Sequence, residues 1–88
     1  MHKGFGVVIN PKVKIGAGTV IQHRVTIGAI GLGVPEIGQN CFLGAGSIII
    51  GGIKVGDNVK VGAGAVVIND VPNDATVVGI PAKVVSKK

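Results

Sequence analysis

Residues 37–72 read IGQNCF, LGAGSI, IIGGIK, VGDNVK, VGAGAV, VINDVP, six blocks of six. An aliphatic residue opens each block: Ile37, Leu43, Ile49, Val55, Val61 and Val67. A small or apolar residue stands four places later: Cys41, Ser47, Ile53, Val59, Ala65 and Val71. The same register runs upstream through Ile9, Ile15, Ile21 and Ile27. A period of six is neither the 3.6 of a helix nor the simple alternation of a strand. It is the period of hexapeptide solenoids, in which each block forms one face of a coil. The fourth place explains how the chain turns. Gly18, Asn40, Gly46, Gly52, Asn58, Gly64 and Asp70 occupy it, with Lys12 and Arg24 as exceptions. Gly, Asn and Asp are the residues that enter the left-handed backbone region most readily. Three blocks then close a triangle of 18 residues, with first and fifth places inward and coils stacked about 4.8 Å apart. The expected fold is all-β, a parallel β-helix of a little over three coils. It forms one domain over residues 1–88, with coils through 72 and a capping tail over 73–88.

The rest of the chain is read against that repeat. GAIGLGVPE puts ten residues between Ile27 and Ile37, a four-residue insertion at one corner. A packed interior has no space for it, so it projects as a loop near residues 28–36, and projecting loops on rigid scaffolds often carry sites. The open ends of a solenoid need covering. The tail serves one end. The chain starts in mid-coil at Met1, so a preceding domain or a subunit contact is expected at the other.

Composition narrows the function classes. Val and Ile supply 28 of 88 residues and Gly 16, whereas Phe5 and Phe42 are the only aromatics. No apolar run reaches the roughly 18 residues of a membrane helix. Cys41 is the single cysteine, which excludes an intrachain disulfide and fits a reducing, cytoplasmic compartment. The net charge of +5 is spread along the chain. There is no basic helix and no interleaved aromatic, so no nucleic-acid partner is expected. Two histidines with Glu36, Asp57, Asp70 and Asp74 show no ligand spacing, so no metal is expected.

With the pieces GFGVVIN (4–10), VTIG (25–28), IGQNCFLGAGS (37–47), VGAGAVV (61–67) and DVPNDATVVGIPAKVV (70–85), the chain resembles the hexapeptide-repeat acyltransferases. The resemblance is to the C-terminal β-helix of serine acetyltransferase and to related O-acetyltransferases of surface-polysaccharide synthesis. It implies a left-handed helix and a homotrimer with sites in the grooves between prisms. It also implies acetyl-CoA as co-substrate, lying against Gly28, Ala29, Ala45 and Ala63, with Lys60 and Lys83 toward the CoA phosphates. Gly and Ala at corners also serve the fold itself, and Lys is ordinarily exposed.

Acyl transfer through a covalent intermediate needs an activated nucleophile. Cys41 and Ser47 hold inward places, and Ser86 has no base near it in sequence. Direct transfer to an acceptor hydroxyl is the reading that remains. It calls for a histidine base and for N–H donors aimed at the oxyanion, for which Gly28–Gly33 is the expected source. The family's base aligns with Lys3, one residue from His2. The second histidine of the serine enzymes aligns with Val34. His2 is therefore ranked first as base and His23, an outward corner residue, second. The acceptor is a small molecule, a sugar or a serine-like hydroxyl. The rival reading is a non-catalytic or truncated hexapeptide scaffold that keeps the trimer.

Overall fold

The computed structural model describes residues 8–87. Within them the chain winds into a left-handed parallel β-helix with three faces. One sheet stacks β1 (Val8–Ile9), β4 (Thr26–Gly28), β7 (Ile48–Ile50) and β10 (Val66–Val67). We call it sheet A. Sheet B stacks β2 (Lys14–Ile15), β5 (Glu36–Ile37) and β8 (Lys54–Val55). Sheet C holds β3 (Val20–Ile21), β6 (Phe42–Leu43), β9 (Lys60–Val61), β11 (Ala75–Val78) and β12 (Lys83–Lys87). Each two-residue strand pairs the last place of one block with the first of the next, so one side chain faces out and one faces in.

The register locates the insertion. Val8 pairs with Thr26, and Ile48 with Val66, each a spacing of 18. Thr26 pairs with Ile48, Lys14 with Glu36 and Val20 with Phe42, each a spacing of 22. The four extra residues form a tight hairpin in which Ile30 and Gly33 exchange both backbone hydrogen bonds. Gly31 has φ +60° at the first central position, as a type II′ turn requires. Leu32 stands fully exposed at the tip. Pro35 then fills the inward place that Val13 and Ile53 hold in the adjacent coils. The last coil is shorter: Lys60 pairs with Thr76, 16 residues on.

Every first and fifth place from Val25 to Val71 outside the inserted loop is buried. Burial of each aliphatic side chain contributes about 1.5–3 kcal/mol, and this column is what holds the solenoid together. Two polar residues sit in it. The Cys41 thiol donates to the Gly56 carbonyl at 3.1 Å. The Ser47 hydroxyl is fully buried between Val25 and Ala65 and has no hydrogen-bond partner among the described residues. A buried unpartnered hydroxyl costs stability. Ser47→Ala is therefore expected to stabilise the chain by about 1 kcal/mol, read as a higher thermal midpoint. A loss of stability would mean that the hydroxyl is satisfied.

The corners depart from the simple rule in four places. Arg24 adopts φ +61° despite its side chain, with Gly46 and Gly64 above it at +74° and +72°. Gly51, not Gly52, takes the positive φ in its corner, and the Ile53 N–H reaches the Gly51 carbonyl at 2.8 Å. Asp70 does not enter the left-handed region; its Oδ1 accepts the Lys54 N–H at 2.9 Å instead. At Lys12 the turn is made by Asn10, whose Oδ1 accepts the Lys12 N–H at 2.9 Å.

Candidate active site

Stacking places three residues in one column at the corner between sheets C and A. Ile21, Leu43 and Val61 share a register, so His23, Ala45 and Ala63 lie above one another. Gly46 N–H donates to the His23 carbonyl at 3.0 Å, and Gly64 N–H to the Ala45 carbonyl at 2.9 Å. The backbone is thus locked, and the methyl groups leave a shallow ledge. His23 and Ala63 are exposed and Ala45 half-buried. Among the described residues a Cβ on Gly64 would meet nothing within 4 Å, so the ledge is open there.

Gly28 and Ala29 lie elsewhere, at the far end of sheet A where the hairpin begins. Gly28 pairs with Ile50 and its carbonyl accepts the Gly51 N–H at 3.1 Å. Within the segment expected to supply oxyanion donors, the N–H groups of Ile30 and Gly33 are consumed by the hairpin. Val34 is half-buried at its base. Lys60 stands on sheet C between Phe42 and Thr76, in an open cleft of about 380 Å³ that also contains Asn40, Asn58, Asp74 and Ser86. Lys83 pairs with Val78 at the start of β12 and is exposed. His2 and Lys3 lie outside the described residues. One chain therefore brings His23, Ala45 and Ala63 together, and holds Gly28 with Ala29 and the two lysines at separate places. Of the covalent candidates, Cys41 at 2% exposed and Ser47, fully enclosed, are unsuited by burial, whereas Ser86 is exposed in the Lys60 cleft.

The glycines without a positive φ divide into two kinds. A Cβ on Gly16 would lie 2.6 Å from the Gly38 carbonyl carbon, and one on Gly44 would lie 2.7 Å from Ala63 N. These glycines are required because the coils touch there. The shallow trough of about 420 Å³ along sheet B follows the same column, Gly16, Gly38 and Gly56. Gly28 is different. Its φ is not positive, and among the described residues a Cβ there would meet only Ile50 Cγ2, at 3.8 Å. Stacking gives this place to Ile50 in the next coil. The distinction depends on register and is invisible in the sequence, whereas the exception at Arg24 is visible there. Among the described residues no three His, Cys, Asp or Glu side chains gather as a metal site. Among them, no helix is long and apolar enough to cross a membrane.

In repeat and in fold the chain is similar to the hexapeptide-repeat acyltransferases. Residues 36–68 match the family described as the hexapeptide repeat of succinyl-transferase. Over nearly its whole length it resembles named acetyltransferases. The putative colanic acid biosynthesis acetyltransferase WcaB of Escherichia coli K12 is 48% identical over 87 residues, covering 96% of this chain and 54% of that protein. Serine acetyltransferase 5 of Arabidopsis thaliana is 47% identical, over 94% of this chain and 28% of that protein. The crystal structure of Neisseria gonorrhoeae serine acetyltransferase superposes with a TM-score of 0.90 at 42% identity, over 93% of this chain and 34% of that one. A serine acetyltransferase solved in complex with CoA superposes at 0.86 with 38% identity, over 91% of this chain and 34% of that one. The chain spans about half the length of the WcaB relatives and roughly a third of the serine acetyltransferases it matches.

Proposed function

We propose that the chain is the β-helix of an acetyl-CoA-dependent O-acetyltransferase that transfers directly to an acceptor hydroxyl, with a histidine as base. The observation that carries this reading is Gly28. The fold has no use for a glycine there, and the stacked place in the next coil is Ile50. A side chain is absent where a ligand would need to approach the backbone. The named acetyltransferases that resemble nearly the whole chain support the same reading.

Within one chain the His23–Ala45–Ala63 corner and the Gly28–Ala29 end lie on opposite sides of sheet A. A single ligand uses both when the corner of one protomer faces the hairpin of its neighbour, as in a homotrimer with grooves between prisms. Sheet A presents Val8, Thr26, Ile48 and Val66 outward, and Val8 is 59% exposed in the single chain. That is a surface suited to burial in an assembly. The donor's acyl end lies toward His23 or His2, its pantetheine arm along Ala45 and Ala63, and its phosphates toward Lys60 and Lys83. The acceptor is a sugar hydroxyl, in keeping with the polysaccharide role in the name of the WcaB relatives. Residues 73–88 close the C-terminal end, and the protein works in the cytoplasm.

The test is release of CoA thiol from acetyl-CoA with a panel of sugars and serine, together with thermal midpoints with and without CoA. Turnover with a sugar is the expected result. The absence of any thermal shift at millimolar CoA would favour the scaffold reading and sink this one. Gly28→Val gives a sharper check. Its thermal midpoint is expected to match the wild type, because the space is open, while CoA binds at least about 10-fold more weakly, a loss of roughly 1.4 kcal/mol.

A further inference from the structure

Arg24 is the one described residue that is neither Gly, Asn nor Asp and has a positive φ. A left-handed conformation costs an ordinary residue roughly 1–2 kcal/mol relative to glycine. The two coils above place Gly46 and Gly64 at the same corner. The fold would therefore be served better by glycine, and the guanidinium is held there at a cost to stability. Arg24 is exposed and directly follows His23, at the foot of the ledge formed by Ala45 and Ala63.

The charge around it is one-sided. The chain has four acidic residues. Glu36 lies in β5 of sheet B, Asp57 and Asp74 at the corner between sheets B and C, and Asp70 at the corner between sheets A and B. None shares the corner of Arg24. An arginine fork unopposed by carboxylates binds a carboxylate or phosphate through two parallel N–H···O bonds.

The geometry assigns Arg24 as the anchor for an anionic group on the acceptor, a specificity-determining residue beside the transfer site. This rests on the acetyltransferase reading, which puts the donor's own phosphates toward Lys60 and Lys83 on sheet C, away from this corner. An anion met by Arg24, next to His23, then belongs to the acceptor. The acceptor class is a hydroxyl compound bearing a carboxylate or phosphate, such as a uronic acid or a glycosyl phosphate.

Matched acceptors test this: galacturonic acid and galactose 1-phosphate against neutral galactose, with wild type, Arg24→Gly and Arg24→Lys. In Arg24→Gly the thermal midpoint is expected to rise by about 4–8 °C, because strain is released. kcat/KM for the anionic acceptors is expected to fall about 10- to 100-fold. Galactose turnover and the affinity for CoA should stay within about twofold. Arg24→Lys should recover part of the anionic preference and none of the midpoint. The uronic acid and the phosphate arms show which anion is preferred. Equal losses on neutral and anionic acceptors, weaker CoA binding, or no change on any acceptor would each overturn the assignment. Should the wild type turn over nothing, the acetyltransferase reading fails by itself. Amide shifts during galacturonate titration then decide on Arg24: perturbations around residues 23–24 that vanish in Arg24→Gly support it, and their absence in wild type overturns it.

Discussion

Gly38→Ala is expected to unfold the chain or to destabilise it by more than about 3 kcal/mol. The new methyl would sit 2.6 Å from the Gly56 carbonyl oxygen and press on Asp57 Oδ1. Both belong to the next coil. The first is backbone in a parallel ladder, and the second already accepts the Gln39 N–H at 2.9 Å. The coil above is held in turn by the Asp57 N–H donating to Asn73 Oδ1 at 2.8 Å. Relief would require the coils to separate, which opens ladder bonds on all three faces. A domain of this size has about 5–10 kcal/mol in total, so a loss of this kind is close to its whole stability. The cause is contact between coils and not conformational freedom, since Gly38 has no positive φ. Gly28→Ala is the control and should be close to neutral. Denaturant unfolding followed by circular dichroism checks both. A Gly38→Ala midpoint close to wild type would mean that the coils are not packed as described.

Removal of the base is the second large effect. General-base catalysis contributes about 10²- to 10⁴-fold. One of His2→Ala and His23→Ala is expected to lower kcat by that factor while leaving the KM for acetyl-CoA and the thermal midpoint almost unchanged. His2 ranks first by its place next to the family's base position. His23 has the structural case, because it lies on the same column as Ala45 and Ala63. The two variants measured side by side assign the role. If each keeps more than half of the wild-type kcat, the base is neither histidine.

The fold could be read from residues because the period of six is imposed by side-chain volume alone. Ile27, Leu43, Ile49 and Val61 alternate with outward residues at intervals only this solenoid satisfies, and all four are buried. The corners were less legible. Whether Gly51 or Gly52 takes the turn depends on the Ile53 N–H finding a carbonyl. Asp70 could serve as a turn residue or as a side-chain acceptor, and the shortened last coil selects the second. For the site, composition identified small residues without distinguishing their reasons. Gly44 is glycine because Ala63 N is 2.7 Å from where its Cβ would be, and Gly28 has no such neighbour. That difference appears only once the coils are stacked. The separation of Gly28 from Ala45 and Ala63 across sheet A was hidden for the same reason: a linear repeat does not show which corner each block occupies. His2 falls outside the described residues.

The chain folds back over the coil that ends in β10. Val66 N–H is taken by the Gly79 carbonyl at 3.0 Å, and the Val66 carbonyl by the Ala82 N–H at 2.8 Å. The antiparallel β12 lies along β11, and Val71 closes sheet B by its bridge to Val55. Sheet A is thus covered at Val66 and sheet B at Val55, while β12 is the outer strand of sheet C. A longer solenoid can be made from within: duplicating one 18-residue turn between β7 and β10 keeps every ladder in phase.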